Sequence, residues 1–263
     1  MISRSRFFRG LFDTPDSPAP LWVKAALTTT ALLLLSLACW AALAGTTRNW
    51  EGVWNYRLVF WKGWLLTLQL SVLGMILSLT LGALAALARS SSFLPLRGLA
   101  ALYVELVRGM PLLVLLLFFY YVVADPLGWK NRVSAGVVAL SLFSGAYIAE
   151  ILRAGIESVG ASQRESAKAI GLTAPQTYRF IILPQALRNA LPPLAGQFAS
   201  VIKDSSLLSI LGISEFTLAA QQVNSATFST LESFLPLALG YLILTVPVSL
   251  LARHLENRLR FET

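Results

Sequence analysis

Glu165-Ser-Ala-Lys-Ala-Ile-Gly-Leu-Thr-Ala-Pro-Gln-Thr-Tyr-Arg-Phe-Ile-Ile-Leu-Pro184 is polar, helical in pattern and punctuated by glycine and proline, while almost everything around it is apolar. Ser162-Gln-Arg-Glu165 has the form of a capping box, which predicts a helix from Ser162 through Ile170. Gly171 is placed as the left-handed residue that closes it. Thr173-Ala-Pro-Gln176 offers a second helix start, with Pro175 tolerated in the first turn. Pro184 pushes its predecessor out of the α region, so the second helix is expected to stop near Leu183, and Pro192-Pro193 marks the next boundary. Ala167, Ile170, Leu172, Tyr178, Phe180, Ile181 and Ile182 are apolar, against Glu165, Lys168, Arg179 and Arg188. Such an amphipathic pair either docks a soluble partner, packs on its own bundle or lies in the lipid interface. A connection this long, over 154–192, is uncommon without a function.

The chain has 263 residues, 56% hydrophobic and only 13% charged, and its mean hydropathy is +0.67. Soluble domains carry about 25% charged residues. One core cannot hide this much apolar surface, which makes the chain an integral membrane protein. The net charge of +8 is scattered between apolar runs rather than gathered in a patch, which sets nucleic-acid binding aside. Cys39 is the sole cysteine and His254 the sole histidine, so no disulfide, metal cluster or Cys/His nucleophile is expected. No G-x-x-x-x-G-K-[S/T] loop is present, so the chain has no nucleotide site of that kind.

Six runs have the length and character of spanning helices: Ala25 to Gly45, Gly63 to Ala88, a broken run from Leu96 to Ala124, Val133 to about Leu152, Leu191 to about Ile213, and Ser233 to Ala252. None alternates like a barrel strand, so the expected class is an all-α polytopic bundle. The first run follows Arg4, Arg6 and Arg9 and precedes Ala42-Leu-Ala44, as in a signal peptide; its length and late start favour a retained helix. Basic residues concentrate at the termini and the even-numbered connections, which predicts both termini in the cytoplasm together with the opening stretch. Gly74, Ser78 and Gly82 form a small-residue stripe for close helix contact, within the chain or between subunits.

Charges inside the runs are candidates for a polar path, for gating, or for mutual neutralisation. They are Glu105 with Arg108, Glu150 with Arg153, and Lys203 with Asp204. Pro111, in Arg108-Gly-Met-Pro111, breaks the third run and frees backbone groups that can line a cavity. The connection from Glu215 to Glu232 lacks Lys and Arg and contains Gln221, Gln222 and Asn224, which suits an outer docking or gating surface.

Glu165-Ser-Ala-Lys-Ala-Ile-Gly171 followed by Ile182-Leu-Pro184 resembles the EAA loop of ABC-importer permeases. Further stretches resemble the polar amino acid permease subfamily: Gly63-x-x-x-Thr-Leu68 with Ser71, Arg108-Gly-Met-Pro-Leu-Leu113, Ala146-Tyr-Ile-Ala-Glu-Ile-Leu-Arg153, Leu183-Pro-Gln-Ala-Leu-Arg188, Leu191-Pro-Pro193 and Lys203-Asp-Ser-Ser-Leu207. The departures are small-for-small: Ser166 for Ala, Ser162 for Gly and Ser205 for Thr. The resemblance covers residues 58–258 and implies a type I ABC-importer permease (MetI-like) fold of five helices, with one added N-terminal helix in residues 1–57 and a cytoplasmic tail at 259–263. It also implies a coupling loop whose contact residues with a cytoplasmic ABC ATPase dimer are Glu165, Ser166, Ala167, Gly171, Leu183 and Pro184. Glu105, Arg108, Pro111, Glu150, Arg153, Lys203, Asp204 and Ser205 are then candidates for the translocation path or its gate. The implied partners are that ATPase, which binds ATP and Mg, an extracytoplasmic amino acid-binding protein, a second permease subunit of the same or a related chain, and membrane lipid. The implied location is a bacterial inner membrane, and the chain itself is not an enzyme. Another small polar solute, or a stand-alone secondary transporter, are the alternatives; the latter leaves the EAA-like loop unexplained.

Overall fold

The computed structural model describes residues 49–259 and the helical positions Thr29, Thr30, Leu33, Leu34 and Leu37. The expectations about the first run, its charged prefix, Cys39 and the last residues lie otherwise outside the described residues. Everything below belongs to the unit Asn49–Thr263.

Among the described residues the chain is helical throughout, without strands. A short helix α1 (Trp50–Trp54) leads into the long α2 (Arg57–Arg89). Helix α3 (Leu94–Gly109) is followed by α4 (Leu112–Phe118), which runs on as a π-helical turn to Ala124. The two are bent by 113° at the Met110-Pro111 break, where proline cannot continue the helix. Helix α5 (Arg132–Glu157) precedes the short α6 (Ala161–Ala169) and α7 (Ala174–Thr177). After a π turn, α8 (Leu183–Asp204) continues as a 3₁₀ segment to Leu211; α9 (Phe216–Thr227) and α10 (Thr230–Leu259) follow.

Helices α2, α5 and α10 are long and apolar enough to cross a membrane, and α3 and α4 have the length for a fourth crossing only when taken together as one bent span. The fifth expected run is α8, which starts eight residues earlier than its hydropathy suggested; its 22 residues give about 33 Å of helix. The core lies where α2, α4, α5 and the 3₁₀ segment meet, around Leu70, Leu116, Leu140, Val201 and Leu208. The small-residue stripe serves packing within the chain. A Cβ on Gly82 would sit 2.5 Å from Cγ2 of Ile148 on α5, and Ser78 is fully buried.

Two local expectations are corrected. Pro184 does not end a helix. The π turn over Tyr178–Ile182 adds a residue, and the Leu183 N–H reaches back to the Tyr178 carbonyl. Pro184 follows directly on this widened turn, with Ile182 and Leu183 both still helical, and Gln185 Nε2 donates to the Ile181 carbonyl at 3.0 Å. Pro192 and Pro193 are likewise no boundary but lie inside α8.

Candidate functional site

The α6–α7 pair carries the opening stretch. Its turn is a full Schellman closure: the Gly171 N–H donates to the Lys168 carbonyl and the Leu172 N–H to the Ala167 carbonyl, each at 3.0 Å. Gly171 has φ +81°, a left-handed conformation that costs any side-chain-bearing residue. At the second start, Gln176 Oε1 accepts from the Thr173 N–H and the Thr173 hydroxyl, both at 2.9 Å. The first start is not the expected one. Helix α6 begins at Ala161, Gly160 occupies the cap, and Ser162 is already inside the first turn, where its hydroxyl cannot cap.

The pair divides its apolar residues. Ala167, Ile182 and Thr177 are buried, while Ile170 is 75% and Phe180 60% exposed. Glu165, Ser166, Gly171, Leu183 and Pro184 are exposed as well. Two contacts that the sequence did not announce tie this region together, the first joining α6 to the end of α5 and the second joining α8 to the residue that closes α5. Arg164 Nη2 donates to the Ile156 carbonyl at 3.0 Å, and Asn189 Nδ2 to Ser158 Oγ at 2.8 Å. The closed turn thus leaves Ile170, and Phe180 beyond α7, facing outward.

Beside these contacts, Glu150 gathers charges from three helices. Arg89 Nη1 at the end of α2 lies 3.0 Å from Glu150 Oε2, and Arg108 Nη1 at the end of α3 lies 3.6 Å away. Arg153 pairs with both Glu150 and Glu157 on α5. The Arg108 guanidinium also stands 5.4 Å over the Tyr147 ring. The sequence pairing of Glu150 with Arg153 is therefore present, but that of Glu105 with Arg108 is not. Val104 and Val107 turn into the core beside Ala146 and Ala149. This carries Arg108 toward α5 and leaves Glu105 exposed and without an ion pair among the described residues. Lys203 and Asp204 do not pair either; Lys203 is exposed, Asp204 half-buried and Ser205 buried.

At the opposite end, Glu215 was read as the edge of a surface loop, yet it is fully buried. It caps α9, its Oε1 accepting from the Leu218 N–H at 3.0 Å and its Oε2 from the Thr217 N–H at 2.9 Å. Oε2 also accepts from Thr67 Oγ1 at 3.2 Å and from the Tyr241 hydroxyl at 2.9 Å. Thr67 in turn accepts from the Phe216 N–H at 3.0 Å, and a Cβ on Gly63 would sit 2.7 Å from that of Ala219. The Gly63-x-x-x-Thr67 spacing was the available signal, since it sets one helix face to receive another chain segment. Glu232 is buried too, and accepts from the Asn49 N–H at 2.8 Å. Gln221, Gln222 and Phe228 are among the residues that remain exposed in the connection; the last is 90% exposed with φ 52°. Trp54 and Trp61 are exposed near this end, as in the aromatic belt of a membrane interface. Among the described residues no group of acidic, His or Cys side chains is arranged to hold a metal.

Residues 78–261 match the family model of binding-protein-dependent transport system inner membrane components. The chain is 37% identical over 216 residues to the glutamine transport system permease protein GlnP of Escherichia coli (strain K12), a match covering 81% of this chain and 98% of that one. It is 32% identical to the arginine transport system permease protein ArtQ of Bacillus subtilis (strain 168), covering 76% of this chain and 91% of the other. A crystal structure of an amino acid ABC transporter with histidines superposes with TM-score 0.76 at 34% identity, covering 81% of this chain and all of that chain. The inward-facing MetNI methionine ABC transporter shares the fold, with TM-score 0.60 at 18% identity over 79% of this chain and 97% of the other. With this family model covering most of its length and a shared fold, the chain belongs to the binding-protein-dependent transport system inner membrane component family.

Proposed function

We propose that this chain is the permease subunit of an ATP-binding-cassette importer for polar amino acids, with glutamine the first substrate to test because similar permeases bear that name. The observation that carries the mechanism is the exposed Ile170, which closes α6, and Phe180, in the turn that leads into α8, with α6 tied to the end of α5 through Arg164. An ATPase groove that seats these two side chains moves the span ends with it. ATP and Mg are held by that partner; this chain binds neither.

The Glu150 cluster is the inner latch. It joins the ends of α2, α3 and α5 by ion pairs that are partly exposed, so they exchange at small cost. Glu105, Lys203 and Asp204 have no ion partner among the described residues and supply charges of both signs for a zwitterion or for a second permease subunit. Gln221, Gln222 and Phe228 suit contact with an extracytoplasmic binding protein. Both termini then lie in the cytoplasm.

The test is co-purification of the tagged chain, gently extracted from native membranes, with its partners identified by mass spectrometry. An ATPase subunit recovered with the wild type and lost with Ile170→Glu and Phe180→Glu supports the reading. A chain that comes out alone from membranes where such an ATPase is expressed overturns it.

A further inference from the structure

A cleft of about 560 Å³ opens between α8 and α10, lined by Arg188, Asn189, Pro192 and Pro193 on one side and Arg253 and Glu256 on the other. Neither arginine has an ion pair among the described residues, and both are exposed. Pro192 and Pro193 have no N–H, so the carbonyls of Arg188 and Asn189 lose their donors four residues on. Asn189 spends its amide N–H on Ser158 Oγ, which leaves its carbonyl oxygen as an acceptor in the cleft. The site therefore offers two guanidiniums, several neutral acceptors and one carboxylate, with a net charge of one positive.

Its position narrows the ligand. Helix α10 is an apolar span that is only 6% buried in its most hydrophobic window. Leu242, Ile243, Val246 and Leu250 are exposed on it, and the cleft begins at Ala252, where this apolar face gives way to charge. A headgroup in the cleft has its acyl chains beside those side chains without leaving the bilayer. Basic pockets between spanning helices are the usual seats of anionic headgroups.

We propose that this cleft binds an anionic phospholipid with a hydroxyl-bearing headgroup, of the phosphatidylglycerol type. Arg188 and Arg253 donate to the phosphodiester oxygens. The headgroup hydroxyls donate to Glu256 and to the Asn189 oxygen. The single negative charge of the lipid matches the single excess positive charge of the site. A zwitterionic headgroup leaves one guanidinium uncompensated, and phosphatidylcholine has no hydroxyl for Glu256. The inference is independent of the cargo and of the ATPase contact, so it stands or falls separately from the transport reading.

The test is native mass spectrometry of the delipidated full-length chain, with whatever subunits co-purify, titrated with phosphatidylglycerol or phosphatidylcholine. Phosphatidylglycerol is expected to bind about tenfold more tightly than phosphatidylcholine, and Arg188→Gln with Arg253→Gln together to abolish that preference. Gly196→Trp is the second variant. Gly196 lines the cleft and a Cβ there meets nothing within 4 Å, so a side chain starts from open space at the cleft wall. It is expected to lower phosphatidylglycerol binding while leaving both arginines in place. Excess inorganic phosphate is expected not to displace the lipid; full displacement shows a site for free anions and overturns the lipid assignment. Equal binding of the two lipids, or unchanged binding in both variants, also overturns it.

Discussion

Glu215 and Glu150 are both carboxylates held between three helices, and their surroundings are opposite. Glu215 is fully buried, and its partners are hydroxyls and backbone N–H groups from α2, α9 and α10. Glu150 is 22% exposed and its partners are three guanidiniums at the ends of α2, α3 and α5. Hydrogen bonds in a dry junction are costly to break, because each lost acceptor strands a donor away from water. Partly solvated ion pairs exchange one counter-charge for another at little cost. One end of the bundle is thus joined by contacts that are costly to break and the other by contacts that exchange cheaply.

The largest effect is expected where the dry junction is broken. Glu215→Ala removes the acceptor for four donors and is expected to cost about 3 kcal/mol. Thermal unfolding in detergent reads it as a clear fall in Tm. Glu215→Gln keeps one acceptor oxygen and should cost about half as much. If Glu215→Ala leaves Tm unchanged, the contrast between the two ends is lost.

Next comes the turn between α6 and α7. Gly171→Val forces a β-branched residue to φ +81° with no neighbour to relieve it, costing about 1–2 kcal/mol within the α6–α7 pair. Membrane insertion is expected to survive, while ATPase co-purification and uptake fall. Gly171→Asn, which tolerates the left-handed region better, is expected to recover much of both. Normal uptake in Gly171→Val would remove the turn from the mechanism.

What the sequence revealed follows from how local each cause is. Hydropathy identified α2, α5 and α10 because an apolar run long enough to cross is a property of the run itself. Gly171 was legible because a left-handed residue between two short helices is a local demand. The burial of Glu215 was not, since it is decided by Thr67 and Tyr241, which lie 148 and 26 residues away along the chain. Arg108 was assigned to Glu105 by spacing, but the side of α3 that meets α5 is fixed by Val104 and Val107, and that turns the arginine to Glu150. The proline rule failed at Pro184 because the widened π turn just before it lets the helix run on past a residue without an N–H; periodicity carries no mark of such an insertion.

A smaller stability effect and a larger functional one are expected at the latch. Glu150→Gln removes the shared counter-charge and leaves Arg89 and Arg108 unpaired, while Arg153 keeps Glu157. Because the groups are partly exposed, the stability change is expected to stay within about 1 kcal/mol. The ATPase activity of the reconstituted complex is expected to lose its dependence on substrate. A variant that unfolds as readily as Glu215→Ala would make the two ends alike.

The smallest effect separates the two helix starts of the coupling pair. Ser162 lies inside the first turn of α6 and makes no cap bond, so Ser162→Ala is expected to change stability by less than about 0.5 kcal/mol. Gln176 accepts from both the N–H and the hydroxyl of Thr173, so Gln176→Ala is expected to cost about 1 kcal/mol in the same pair. Hydrogen exchange of the amides at 161–164 and 173–177 reads the difference at each start separately. Faster exchange at 161–164 in Ser162→Ala would restore the capping box that the sequence suggested. Faster exchange confined to 173–177 in Gln176→Ala leaves α7 as the capped element and α6 as one held from behind by Arg164 and closed by the Gly171 turn.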